Sequence, residues 1–278
     1  MPFDPDLHPL PQALSPSRLN DFQSCPRKYQ YSAVEKIKQP ASYASTKGRF
    51  VHALLEFLLA LPGPERTIDR ALSSDFIAAA TEAVLTPDVR LDLNYDDQLE
   101  AKLRRETAEI LTTYFAMEDP TRITLAEVDE APGIEIGIRE EIEGAPLYGI
   151  LDRLDRDDNG DLIIVDYKTG SLPRNETYLS SAFANSALYV ELCKAKLRET
   201  PVKIRLMYVA AGRTVERSPK EIFPEARARA AAAAWGRITE AHAAGDFEAT
   251  PSASACRFCP EDYKQRCRSE GINVVETR

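Results

Sequence analysis

The chain is poor in tryptophan, histidine and methionine, with one, three and three among 278 residues, and no apolar run is long enough to span a bilayer. A membrane helix needs about 20 consecutive apolar residues, so neither a membrane anchor nor a membrane partner is expected. The first residues lack the charged start and apolar core of a secretory signal, and a soluble, cytoplasmic protein is expected. No Gly-x-x-x-x-Gly-Lys-[Ser/Thr] run occurs, which excludes a P-loop motor. A global excess of positive charge is also missing: the net charge is −9 and the pI about 5.1.

The charge is unevenly spread. Ser15 to Phe50 carries a local +5, Lys194 to Lys220 a local +6, and Asp129 to Asp161 a local −8. Basic segments of this kind either line a phosphate track beside an acidic metal centre or form ordinary solvated faces. The five cysteines are an odd number in a chain with no secretory features, which favours metal binding over a disulfide framework.

The most informative stretch is Gly149-Ile-Leu-Asp-Arg-Leu-Asp155, a turn, and Asp161-Leu-Ile-Ile-Val-Asp-Tyr-Lys-Thr-Gly170. Both halves read as strands, and the Asn159-Gly160 pair between them is a hairpin signal. Folding at Asn159 sets Asp152 opposite Asp166. Asp166 and Lys168 share one strand face, while Val165 and Tyr167 point the other way. Two adjacent carboxylates repel unless a proton or cation lies between them. Such an oxygen pair suits Mg²⁺ or Mn²⁺, and a neighbouring ammonium can orient a water or stabilise a developing oxyanion. A surface hairpin with solvated charges would have the same composition.

Elsewhere, residues 1–13 read as a proline-rich extended arm. Ser15 and Pro16 start a helix that Cys25-Pro26 interrupts, and residues 27–34 resume it. Residues 47–60 form an apolar helix with His52 and Glu56 on one face. Residues 65–118 read as helices only, an insertion at about 68–85 and 97–117. Strands are expected at 122–128, 134–141 and 203–210, and helices at 175–198 and 219–244. This order implies an α/β core with a mixed sheet.

Cys256-Arg-Phe-Cys259, with Cys267 eight residues on, is a metal-binding signature that is one ligand short of four. Cys25 is the natural fourth, freed by its helix break. Cys193, mid-helix, reads as a buried apolar residue.

Asp152 followed by Asp166-x-Lys168-Thr169-Gly170 resembles the core of the PD-(D/E)xK nucleases, and more narrowly the RecB family of exonuclease domains. Leu14-Ser15, Cys25-Pro26 and the following tyrosines resemble the start of the iron–sulfur members of that family. The resemblance covers roughly 14–60 and 134–268. It implies a restriction-endonuclease-like core, a central mixed β-sheet flanked by helices, in one domain over 14–278. The helical insertion lies at about 65–118, and the cysteine-clasped tail at about 250–270. In Gly48-x-x-x-His52-x-x-x-Glu56 it implies that His52 joins Asp152, Asp166 and the Tyr167 backbone carbonyl in binding Mg²⁺ or Mn²⁺. Glu56 is left a supporting or structural role. Asp152, Asp166, Lys168 and Tyr189 would be catalytic. Asn185 stands four residues before Tyr189, where the family usually has glutamine; helix packing would explain the pair equally well.

Cys25, Cys256, Cys259 and Cys267 would hold a structural [4Fe–4S] cluster that fixes the tail beside the DNA path, with zinc as the alternative. The implied activity is a metal-dependent DNA exonuclease acting on single-stranded DNA in repair, with a helicase or repair-complex partner for any unwinding. The alternative is a nuclease-like DNA-binding module that acts only within a larger repair or CRISPR-adaptation complex. A zinc-stapled structural protein would explain the cysteines but not Asp152, Asp166 and Lys168.

Overall fold

A computed structural model of the chain describes residues 3–275. The strands are β1 (Thr124–Leu125), β2 (Glu127–Val128), β3 (Ala131–Pro132), β4 (Ile134–Ile142), β5 (Ala145–Arg156), β6 (Leu162–Lys168), β7 (Lys203–Tyr208) and β8 (Arg213–Arg217). They form a sheet of order β1-β5-β6-β7-β8, with β4 also pairing with β5, and a two-stranded ribbon of β2 and β3. The β5–β6 and β7–β8 pairs are antiparallel and β6–β7 is parallel, so the sheet is mixed as expected. No helix among the described residues is long and apolar enough to cross a membrane.

The chain packs as two compact units. One comprises residues 1–39, 139–149 and 225–278; the other comprises 40–138 and 150–224. In the second unit the helix Tyr43–Leu59 begins one turn earlier than the sequence pattern indicated, because the Ser42 side chain caps it by accepting from the Ser45 N–H. Its apolar face, with Phe50, Val51, Leu54, Leu55 and Leu58, packs into one core with Val165, Tyr167 and Met207 from the sheet. The helices Ser74–Val84 and Asp97–Met117 enter the same core through Ile77, Ala80, Leu103, Ile110, Leu111 and Tyr114. The inserted helices therefore bury one face of the sheet that carries the acidic pair.

Two expectations were displaced by local backbone chemistry. The run 122–128 is two short strands, not one. Asp129 and Glu130 both have positive φ (51° and 67°) and fold β2 back onto β3, as a tight hairpin turn requires. The helix at 219–244 is split into Pro219–Ile222 and Pro224–Ala243. Phe223 between them is left-handed (φ 50°) and precedes a proline, which disfavours helical geometry. Strand β8 was not expected. It is a polar strand at the end of the sheet order with Val215 as its single aliphatic residue, and such edges lack the apolar alternation that betrays a strand.

Gly133 inserts the chain between two strands. Its N–H donates to the Ala126 carbonyl (2.7 Å) and its carbonyl accepts from the Leu154 N–H (2.7 Å). A Cβ here would lie 2.8 Å from the Leu154 carbonyl oxygen, so no larger residue fits.

In the first unit, Cys25 is extended (φ −165°, ψ 118°) between the helices Pro16–Ser24 and Pro26–Tyr29, the break that the Cys-Pro pair implied. A bridge joins Leu14 to Leu147. Phe22, Tyr29 and Phe247 stack edgewise or tilted in its interior.

Candidate active site

The hairpin registers as the sequence indicated. Arg153 pairs with Val165 and Arg156 with Leu162, which continues to Asp152 opposite Asp166. The turn itself is closed by Asp157: its carboxylate accepts from the Asn159 and Asp161 N–H groups (both 2.9 Å), and Gly160 takes the left-handed conformation. Asp152 Oδ2 accepts from the Tyr167 N–H at 2.7 Å, which locks the first carboxylate onto the second strand. Lys168 Nζ lies 2.5 Å from Asp166 Oδ2, the shared-face pair the spacing implied.

His52 reaches the same place from the helix Tyr43–Leu59. Its Nε2 is 3.2 Å from the Tyr167 carbonyl oxygen and its Nδ1 is 3.7 Å from Asp152 Oδ1. Gly48, one turn earlier, is where a Cβ would stand 3.0 Å from Thr169 Oγ1, so its small size lets the helix approach the end of β6. Tyr189, on the helix Glu176–Leu197, is half-buried. Burial, then the fields of Asp166, Asp152 and Glu135, push its phenol well above the usual range. Asn185 lies one turn before it on the same face.

Glu135 was missed by the sequence reading. It extends from β4 and lies 3.2 Å from His52 Nδ1. Donor atoms of His52, Glu135 and Asp152 all come within 4.8 Å of one another. Its φ of +44° is a strained conformation for a residue with a side chain, held next to the close-packed Gly133. Nothing in an acidic stretch that also holds Glu140, Glu141 and Glu143 distinguishes Glu135 in one dimension. Glu56, one turn beyond His52, is exposed; burial and then the field of Glu135 raise its pKa.

The electrostatics are those of crowded negative charge. Burial, then the field of Asp166, push Asp152 up to about 7, against the opposing pull of His52 and the Tyr167 N–H. Burial alone would lower His52, but the Glu135 hydrogen bond and the fields of Asp152, Glu135 and Asp166 outweigh it and push it up to about 9. A cation among these groups would relieve the same repulsion. Imidazole with carboxylate oxygens is a donor set that fits Mn²⁺ as well as Mg²⁺. Binding would displace the imidazolium proton, because a ligating histidine must be neutral.

Beneath the acidic pair, on the other sheet face, lies a second network that sequence reasoning did not find. Arg153 is fully buried. Its Nη1 donates to Glu118 Oε1 (2.6 Å) and Tyr167 Oη (2.6 Å), its Nη2 donates to Glu118 Oε2 (3.1 Å), and its Nε pairs with Asp155 Oδ1 (2.9 Å). The inserted helix thus anchors the two residues that neighbour Asp152 and Asp166 in sequence.

In the first unit the four predicted cysteines come together. Cys25, Cys256, Cys259 and Cys267 line one cavity, with Lys28, Tyr31, Tyr263, Ile272 and Val274 among its other walls. Burial pushes the Cys259 thiol up to about 11, and the nearby sulfurs of Cys267, Cys25 and Cys256 add to this while Lys28 opposes it. Mutual repulsion of this kind is what a bound cationic centre relieves. Cys25 Sγ accepts from the Thr250 N–H at 3.4 Å. Cys193 is wholly buried and, as expected, stands apart as a core residue.

The basic run at 194–220 is largely neutralised. Lys196 pairs with Asp129 (2.6 Å), Lys203 and Arg205 with Glu216 (3.1 and 2.8 Å), and Arg217 with Glu176 (2.9 Å). It is a solvated ion-pair surface in the main, and not a free phosphate track.

A mixed sheet flanked by helices, with its acidic pair and lysine at the end of a central hairpin, defines a restriction-endonuclease-like fold. The chain belongs to the PD-(D/E)XK nuclease superfamily, whose family model matches residues 13–268. Membership points to a metal-dependent nuclease acting on DNA. No curated protein matches the chain.

Proposed function

We propose that the chain is a Mg²⁺- or Mn²⁺-dependent exodeoxyribonuclease of RecB type that hydrolyses single-stranded DNA in repair, with a [4Fe–4S] cluster in the cysteine cavity. The observation that carries the enzymatic reading is the convergence of His52, Glu135, Asp152, Asp166 and Lys168 at one end of β5 and β6. End-directed action on single strands rests on the resemblance of Asp152, Asp166-x-Lys168 and Gly48-x-x-x-His52 to the RecB family.

His52, Glu135, Asp152, Asp166 and the Tyr167 carbonyl are the groups that would hold the ion. The chemistry such an ion supplies is Lewis acidity toward a phosphate oxygen and activation of a bound water. Lys168, ion-paired to Asp166 and a third exposed, presents its ammonium at the rim of the site. From there it donates a hydrogen bond that orients the attacking water, and it stabilises charge developing on the phosphate. Asp166 keeps the ammonium charged: burial would lower the Lys168 pKa, and Asp166 more than restores it. Tyr189, whose phenol feels the fields of Asp166, Asp152 and Glu135, would be the further catalytic residue.

For the cysteines, the cluster reading rests on the resemblance of Cys25-Pro26 and the Cys256, Cys259 and Cys267 set to the iron–sulfur members of the RecB family, and is supported by the four thiols lining one cavity; zinc is the alternative for the same ligand set. The expected result for Cys25→Ala is loss of brown colour, of bound iron and of thermal stability together. Full iron occupancy in that variant would remove Cys25 from the ligand set.

The enzymatic reading is tested by incubating purified protein with end-labelled linear single-stranded DNA, with Mn²⁺ and with excess EDTA. Degradation that requires Mn²⁺ and begins with release of the label is expected. No degradation, from protein that retains its cysteine-bound cofactor, would reassign the chain as a nuclease-like DNA-binding module of a larger complex.

A further inference from the structure

The helix Glu176–Leu197 buries one face and leaves another open. Phe183, Ala187, Leu188 and Val190 are buried, whereas Tyr178 is exposed and Ala182, Asn185 and Tyr189 are half-buried. Those four form one stripe, because steps of four, three and four residues at 3.6 per turn return to nearly the same direction. The stripe ends at Tyr189, beside the carboxylates. Its other end, three turns or about 16 Å away, is Tyr178, which is 57% exposed. Ala182 between them keeps the helix surface low. A second large apolar residue shares the site's side of the sheet: Ile150, 44% exposed, stands two residues before Asp152 on β5. Scattered exposed apolar residues are ordinary, but these two share faces with the acidic cluster.

We infer that the Tyr178 ring is a stacking platform for an unpaired base of the DNA strand that enters the site along the open face of this helix. The inference rests on the proposed nuclease reading and adds a substrate contact to it. The charge balance favours such a contact. The chain is net −9, and the basic run that leads away from this helix is largely tied up in ion pairs, so little phosphate attraction comes from that run. An aromatic ring stacks on any base, which suits an enzyme that must accept every sequence. A duplex offers no free base face to it.

The test is equilibrium binding of the full-length protein to a fluorescein-labelled oligothymidine and to a duplex of equal length, with Ca²⁺ in place of Mg²⁺ or Mn²⁺. Tyr178→Ala is expected to weaken single-strand binding about tenfold, while Tyr178→Phe, which keeps the ring, stays close to wild type. Duplex binding should be the same for all three. Equal single-strand affinity of Tyr178→Ala and wild type overturns the inference. So does an equal loss in Tyr178→Phe, or a parallel loss on duplex, which would indicate a general fold defect. Wild-type protein that binds the single strand but never degrades it would defeat the nuclease reading alone, with Tyr178 still decided by the binding ratio. Wild-type protein that binds no DNA would overturn both.

Discussion

Replacing Lys168 by alanine is expected to lower the rate of DNA hydrolysis by about 10²–10³-fold, the usual cost of removing one preorganised donor from developing transition-state charge. Lys168 is the cation that the site itself supplies, held against Asp166 at 2.5 Å. On the proposed mechanism its removal takes away the group that would orient the water and leaves in place the oxygens that would hold the ion. Mn²⁺ affinity, measured by titration calorimetry, should therefore fall little, and the melting temperature should stay near that of wild type. The loss belongs in kcat and not in KM, because the ammonium acts on charge that appears only in the transition state. A variant that still cleaves within about tenfold of wild type would show that Lys168 merely neutralises Asp166.

The second large effect is on stability. Arg153→Met should cost about 3–5 kcal/mol, because it leaves Asp155 and Glu118 in the core without their hydrogen-bonded counter-charge, with only Arg205 at 3.9 Å from Glu118. Arg153 has no exposed side-chain surface, and Glu118 and Asp155 have little. For a chain of this size that loss corresponds to a fall on the order of 10 °C in melting temperature. The deficit should shrink on acidification. In the wild type, burial would raise Glu118 but Arg153 outweighs it and holds the carboxyl below the usual range. That contribution is full above the unfolded carboxylate pKa and is lost as pH falls through the folded one. In the variant the same carboxylates are destabilised while ionised and gain by protonation, so the two stability curves approach each other in acid. Thermal melts of both proteins between pH 7 and about pH 4 check this. A constant gap across that range would mean that lost packing around the methionine, and not unpaired charge, sets the cost. Activity should fall as well, since Tyr167, whose carbonyl meets His52, accepts a hydrogen bond from Arg153 Nη1 through its ring hydroxyl oxygen.

Much of the site was legible in one dimension because its parts are local. A hairpin with Asn159-Gly160 at its turn sets its own register, so Asp152, Asp166 and Lys168 follow from counting. Cys25 could be placed by its proline and Cys256, Cys259 and Cys267 by their spacing, since short-range backbone rules govern both. His52 was different. An isolated histidine on an apolar helix has no local signal, and only resemblance singled it out before the fold brought it to the Tyr167 carbonyl.

What the tertiary structure alone decided is the set of contacts between segments far apart in the chain. Glu135 joins the site because Gly133 lets β4 pass close to Leu154, and its one-dimensional neighbours are equally acidic. Arg153 looked like one more charge on a strand, and it is a buried counter-ion because Glu118 arrives from the inserted helix 35 residues earlier. The basic run at 194–220 fitted either a phosphate track or a solvated face, and acidic partners from β8, the β2–β3 turn and the start of the preceding helix make it the second. Local propensity and spacing determined the central hairpin, the Ser15 cap and the types of the candidate ligand residues. Which charges meet, and which are left to face a substrate, depended on packing that no window of sequence contains.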